Sequence, residues 1–559
     1  MSFLSRRQFV RNSSLAAATV LLPKASHARA SAGTLLPTAP YGSATTAVDA
    51  ISATDEADLH ALVMEALDTA TRAGAHYVDV HVRVTQRESI GYFQGPKYPP
   101  PAYSTQIGFG IRALVNGSWG FSGVDGVPTK TDVAQLGRDA TAQAAIAARG
   151  SSQVIELAAL PAVANGTWTM PVEIDPFTVS TEEKIDFVDG ISEFFLRESL
   201  NLDTQAWIDF MKETRTFASS DGAYTTQTVY ATGGFLRVDT PPDWASERRG
   251  YRQANFLSYA GAGWEHVLNA PLQDRAHNII EEALRMRRSK PVEVGRYDMV
   301  FDAYAMAGIL DESLGAATEL DRAMGYIANT FGTSYLNDPL AMVGTLRVAS
   351  PLVTVTMNRS MPRGAATVKW DAEGVAPVET TLVKDGIVTD FQTTRESANW
   401  LAPAYQHRGQ PVRSNGCAGV YGTASPVTTY SPNFVMTPGT QALSFDDLIK
   451  DTKKGYAVIG AKDRPRTDQQ ALNGAGQGEV VYEITNGKLG SAVLGAEYLY
   501  RSPEFWKGVK AIGGAESACP SGLDRSRSDW HWQYKSWHTV SAVPTKVTGV
   551  AMIDAMKKA

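Results

Sequence analysis

Four acidic side chains fall within a short stretch of this 559-residue sequence, where spacing first suggests chemistry. They are Asp311, Glu312, Glu319 and Asp321, in the run AMAGILDESLGAATELDRAMG from Ala305 to Gly325. Apolar Met306, Leu310, Leu314, Ala317, Leu320 and Met324 recur there at three-to-four spacing, which predicts one helix over about 303–324. On such a helix Glu312, Ala316 and Glu319 lie on one side, at i, i+4 and i+7. A carboxylate so placed can act as a general base or as an oxygen ligand to a metal. The plainer reading of the same pattern is a core-packing helix whose acidic face is solvated. Beyond this helix there are nine histidines and two cysteines. Cys417 and Cys519 either pair in an oxidising compartment or remain two buried thiols, and spacing does not decide between these. No G-x-S-x-G elbow occurs. Gly474-Ala475-Gly476-Gln477-Gly478 lacks the Lys-Ser/Thr ending of a phosphate loop and reads as a turn. The aromatic-dense segment 529–538 reads as strand packing or a subunit interface, with sugar or peptide docking as the alternative.

The elements that must position these residues follow from periodicity. Helical spacing covers 56–73, 131–148, 181–197 and 274–286. Alternation marks strands at 77–84, 206–219 and 225–238. Asn116-Gly117, Asp385-Gly386 and Asn486-Gly487 each supply the positive φ angles of a tight hairpin turn. The fold class is therefore α+β, with an N-terminal region of mixed helices and antiparallel strands and a strand-rich C-terminal domain carrying one motif helix. The divisions expected are 54–150, 151–290 and 291–559, preceded by a flexible leader over 31–53. Hydrophobic residues at 43% and charged residues at 20% are globular values, which excludes collagen, coiled coil and wholesale disorder.

Residues 1–30 read as an address. Arg6-Arg7-Gln8-Phe9-Val10, a short apolar run and Ala28-Arg29-Ala30 have the form of a twin-arginine secretory signal. The apolar run is well short of the roughly 18 residues of a spanning helix, so no membrane anchor is expected after cleavage. Cleavage after Ala30 removes Arg6, Arg7, Arg11, Lys24 and Arg29 and no acidic residue, taking the formal charge from −6 to −11. That acidity and export together oppose direct nucleic-acid binding. The expected location is periplasmic or extracellular.

The motif stretch resembles that of the TldD/PmbA metallopeptidase family, whose catalytic members read H-E-[SA]-x-G-H followed by E-L-D-R-A. Here the segment is Asp311-Glu312-Ser313-Leu314-Gly315-Ala316, then Glu319-Leu320-Asp321-Arg322-Ala323. Further likenesses run in order along the chain. They include Gly74-Ala75-His76-Tyr77-Val78-Asp79-Val80, the hairpin from Gly108 to Phe121, Ser219-Ser220-Asp221-Gly222, Gly263-Trp264-Glu265, Val348 to Val355, Ser414-Asn415-Gly416 and Asn486-Gly487-Lys488. The resemblance implies a peptidase-like protein acting on extended or unfolded polypeptide, assembled as a homodimer or as a heterodimer with a family paralogue. It implies zinc, with Glu312 as the catalytic base and Asp311 and Cys519 as candidate ligands. The sequence departs from the family at the metal. Asp311 and Ala316 stand where both histidines are needed, and Pro520-Ser521-Gly522 follows Cys519 in place of G-K-x-G-Q. Asp311 and Cys519 alone would under-coordinate zinc. His407, His531 and His538 are offered equally as a completing ligand. Glu319 would sit ~10 Å along the helix axis from Glu312, too far to join it. Two functional readings follow: a metallopeptidase-like protein with an altered zinc motif, or a non-catalytic peptide-binding subunit that partners an active paralogue.

Overall fold

The computed structural model describes residues 56–93, 101–151, 153–160, 163–198, 203–239, 252–254, 257–286, 289–329, 331–422, 424–462, 465–526 and 535–556. The twin-arginine segment, the leader and His531 lie outside them. The architecture is α+β, as the periodicities require.

An eight-stranded sheet forms the N-terminal half. Its spine is Ser118–Asp125, Ala102–Val115, Tyr77–Phe93, Asp203–Ser219 and Tyr224–Asp239, each antiparallel to the next. Asn165–Thr169 adds in parallel at the edge. Strands Tyr77–Phe93 and Asp203–Ser219 have 17 residues each and so reach about 55 Å. Helices Glu56–Arg72 and Lys130–Gly150 cover one end of the sheet, burying Val63, Ala66, Ala140 and Ala144 against Val78, Val80 and Ile111. Helices Thr181–Glu198 and Leu272–Met286 cover the other end around Phe195, Phe210, Trp264 and Ile279. The Asn116-Gly117 turn adopts the expected positive φ values of 48° and 74°. Gly120 has a packing reason: a Cβ there would stand 1.9 Å from the Ala140 carbonyl oxygen of the covering helix.

The C-terminal half holds a ten-stranded and a six-stranded sheet. At the centre of the first, Gly295–Phe301 lies between Thr545–Asp554, antiparallel, and Lys454–Ile459, parallel. The second ends in the antiparallel pair Lys535–Ala542 and Cys519–Ser526. A large apolar core, including Met299, Phe301, Leu310, Leu314, Phe391, Phe434, Trp506 and Val540, encloses the motif helix. Asp385-Gly386 and Asn486-Gly487 make their hairpin turns with positive φ. The expected turn at Gly474–Gly478 is corrected. Asn473–Gly476 is a strand paired with Ala496–Arg501. Its glycines let two tyrosines lie flat on the backbone, since a Cβ on Gly474 would stand 2.1 Å from Tyr500 and one on Gly476 2.3 Å from Tyr498. Among the described residues no helix is long and apolar enough to cross a membrane.

Candidate functional site

The motif helix starts where the central strand Gly295–Phe301 leaves its sheet. Asp302 caps it, its carboxylate accepting from the Ala305 amide at 2.7 Å and from the Gly460 amide at 2.9 Å. Burial pushes the Asp302 carboxyl up to about 6, against the backbone hydrogen bonds that favour its ionised form. Helix Ala303–Leu310 buries all of its residues but Tyr304. Apolar residues on every side suit a helix sandwiched inside a core, not one with a solvated flank.

The expected single helix over 303–324 is divided. Asp311–Gly315 is a π-helical turn, and Glu319 has extended backbone at φ −67° and ψ 118°, before a last helical turn at Leu320–Ala323. The break has local causes. Thr318 turns its hydroxyl back onto the Leu314 and Gly315 carbonyls, and Gln392 donates to Gly315 O and Thr318 Oγ1. The Gln392 carbonyl then receives the Leu320 amide. A π turn inserts one extra residue and rotates the side chains beyond it, which removes the i, i+7 relation between Glu312 and Glu319.

The solvated acidic face is likewise corrected. Asp311 and Glu319 are 0% exposed and Asp321 is 6% exposed. Glu319 receives the Arg322 guanidinium at 3.1 Å. Asp311 faces the six-stranded sheet, where His538 Nε2 donates to its Oδ1 at 2.8 Å; His538 is 0% exposed as well. With Nε2 committed, His538 Nδ1 is left buried and without a hydrogen-bond partner. Ser313 donates to the Ile309 carbonyl and accepts from Trp506 Nε1 at 2.8 Å, pinning the π turn to the core. Glu312 is the half-buried member of the turn. Its carboxylate accepts from Thr467 Oγ1 at 3.4 Å. Tyr500 stands close enough that, after burial and the nearby Tyr498, the charges of Glu312 and Asp311 help raise its hydroxyl well above the ordinary phenol range. A cavity of about 180 Å³ opens beside Tyr304 and Gly308, walled by Ser258 and Tyr259 of the first sheet and by Gly522 and Leu523. Leu523 is the strand partner of His538, so this cavity borders the site.

Of the sequence candidates, the fold brings Asp311 and His538 into contact, while the Glu312 carboxylate meets Thr467. Cys519 is not with them. It is exposed, and it pairs with Ala542, four residues or about 13 Å along the strand from His538. Cys417 is buried with its Sγ 3.5 Å from Met357 Sδ, and burial pushes its thiol up to about 12. Both cysteines are free, so the disulfide alternative is corrected too. His407 is exposed at the end of helix Ala402–His407. Sequence reasoning missed Thr467, Tyr500 and Trp506. They reach the motif turn from strand Arg466–Thr467, strand Ala496–Arg501 and helix Ser502–Lys507, and no spacing signals them.

These residues do not fit the family's zinc. A catalytic zinc needs three protein ligands with an open fourth position. Ala316 offers no donor, Cys519 is elsewhere, and Asp311 Oδ1 is engaged by the His538 imidazole. Among the described residues no group of three or more His, Cys, Asp or Glu side chains is placed to hold a metal.

Residues 294–528 match the family model described as PmbA/TldA metallopeptidase C-terminal domain. A metalloprotease of Methanothermobacter thermautotrophicus is 26% identical over 386 residues, covering 69% of this chain and 77% of the relative. Two solved structures share the fold. TldE from Thermococcus kodakarensis aligns with a TM-score of 0.65 at 15% identity, over 88% of this chain and 99% of its own. A Thermotoga maritima protein described as a proposed modulator of a DNA gyrase aligns with a TM-score of 0.67 at 13% identity, over 89% of this chain and all of its own. The segment 294–528 is thus similar to the PmbA/TldA-type C-terminal domain.

Proposed function

We propose that this chain is an exported TldD/PmbA-type protein that binds extended polypeptide beside the motif helix and does not use the family's zinc hydrolysis. The observation that carries the reading is the closed Asp311–His538 pair. Its two members are hydrogen-bonded to each other, which engages the carboxylate that the family resemblance would make a zinc ligand. Ala316 then removes the second ligand outright. What remains suited to a peptide is shape: the cavity along Gly308, bounded on two sides by strand backbone. Extended chains bind to such walls by main-chain hydrogen bonds. The N-terminal sequence supports export by the twin-arginine route to the periplasm or beyond. A dimer, either of this chain or with an active family paralogue, is the assembly that fits a subunit without its own metal chemistry. Nucleic acid is not among the proposed partners.

Retained hydrolysis is the second reading, and it draws on Glu312, the half-buried carboxylate of the motif turn. Metal analysis of the protein exported through its own pathway tests the first reading. The expected result is far less than one transition-metal ion per chain, before and after incubation with zinc. Stoichiometric metal, together with peptide cleavage abolished by Glu312→Gln, would overturn it. With Glu312→Gln the proposed reading expects peptide affinity to stay within about twofold.

A further inference from the structure

The cavity beside the motif helix has a size and a lining that select among side chains. Its space is about 180 Å³, and its walls include Phe235, Leu257, Tyr259, Tyr304, Pro465 and Leu523. None of the described residues that line it is charged. A void of about 150 Å³ walled by leucine, isoleucine and phenylalanine stays dry and admits one benzene ring. Two polar groups of the walls are engaged elsewhere. The Tyr259 hydroxyl donates to Asp209 Oδ2, and the Ser258 carbonyl accepts from His266 Nε2 at 2.8 Å.

The walls are held in place by the fold. Strand Leu257–Ala260 pairs with Tyr224–Asp239 through a register shift between Thr232 and Gly234, an irregularity that bends backbone out of a flat ladder. The C-terminal half fixes Tyr259, whose ring stacks on Trp537 with centroids 5.2 Å apart and planes within 7°. Gly522 meets the same residue so closely that a Cβ there would stand 1.7 Å from the Tyr259 carbonyl oxygen. On the helix side, a Cβ on Gly308 would stand 2.9 Å from Pro465 Cδ, so a larger residue there would crowd the wall. A pocket ordered before binding loses little affinity to ordering. We propose that this cavity is a subsite for one large apolar side chain, of the phenylalanine or leucine class, on the bound polypeptide. The inference rests on the polypeptide-binding reading above and adds the side chain that anchors it. A lysine or aspartate entering would give up its water to walls that offer no counter-charge.

Fluorescence anisotropy of the full exported chain with labelled Gly/Ser peptides tests this, the central residue being Phe, Leu, Ala, Lys or Asp. The expected result is that the Phe and Leu peptides bind about tenfold or more tighter than the Ala peptide. The Lys and Asp peptides should bind no tighter than Ala. Leu523→Trp, which fills the cavity, should bring the Phe-to-Ala ratio below about threefold. Equal affinities for Phe and Ala, a charged peptide binding tightest, or a ratio unchanged in Leu523→Trp would each overturn the subsite and leave the polypeptide reading standing. Binding of none of the five peptides would overturn that reading, and the subsite with it. Should Leu523→Trp fail to fold, crystals of the unmodified chain with the Phe peptide decide. The ring is expected beside Gly308 and Tyr259, and a ring seated elsewhere overturns the proposal.

Discussion

At the scale of single residues, the site turns on Asp311. Replacing a histidine by aspartate in a metal site need not end ligation, since a carboxylate also binds metals. The surroundings decide what it does here. Asp311 is fully buried, and the His538 imidazole hydrogen-bonds its carboxylate. His538→Ala removes that donor from a buried carboxylate. It should cost about 2–4 kcal/mol in denaturant unfolding, and His538→Gln, which keeps an N–H, should recover part of it. An unchanged midpoint in His538→Ala would mean the pair contributes nothing to the fold. Glu319 carries the same lesson. On pattern it looked like a surface acid, whereas it pairs with Arg322, three residues on and also buried.

At the scale of elements, the junction between central strand and motif helix holds the clearest pH dependence. Asp302 has its folded-state pKa raised to about 6, above the unfolded carboxylate value. The folded state therefore binds the proton more tightly, and the stability that this lends is complete below about pH 4. It is lost as pH rises through 6, amounting to about 2 kcal/mol for a partly buried group. Asp371, raised to about 7 by burial and the neighbouring Glu373, extends the decline. Asp302→Asn keeps a capping oxygen for the Ala305 amide and should flatten the fall in stability between pH 4 and 6, measured by urea midpoints. An identical slope in that variant would remove Asp302 as its source. Periodicity placed this helix correctly at its start and failed at its end. The start is fixed by a local cap, which sequence shows. The end is fixed by Gln392, which lies 77 residues from its partner Gly315 and arrives only by folding.

At the scale of the whole molecule, the first sheet is tied to the C-terminal half by buried charge. Arg112 Nη2 reaches Asp79 Oδ2 at 2.7 Å and Glu373 Oε1 at 3.0 Å, while its guanidinium rests 4.0 Å from the Trp119 ring. Burial would raise Asp79; Arg112 and His81 outweigh it and hold its carboxyl down at about 2. Arg395, whose amide binds Glu373, reaches back to Tyr77 at 3.2 Å and to Asp221. Arg112→Met leaves two interior carboxylates without their shared cation and should cost about 3–5 kcal/mol of unfolding free energy. A loss below about 1 kcal/mol would show that these charges do not hold the halves together. The same network explains why Gly74 to Asp79 and the Gly108–Phe121 hairpin matter far from the motif helix: they deliver Asp79, Arg112 and Trp119 to one point.

The sequence by itself determined the elements: helices from 3.6-residue periodicity, long strands from alternation, and hairpins from Asn-Gly and Asp-Gly. These are local properties, set by which side chains a short stretch can bury and which φ angles its turns allow. Only the tertiary structure decided which side chains meet. It brought His538, from a strand 227 residues beyond, onto Asp311, left Cys519 in solvent, and broke the motif helix. A buried carboxylate must find a partner wherever folding supplies one, and sequence spacing carries no record of contacts across such distances.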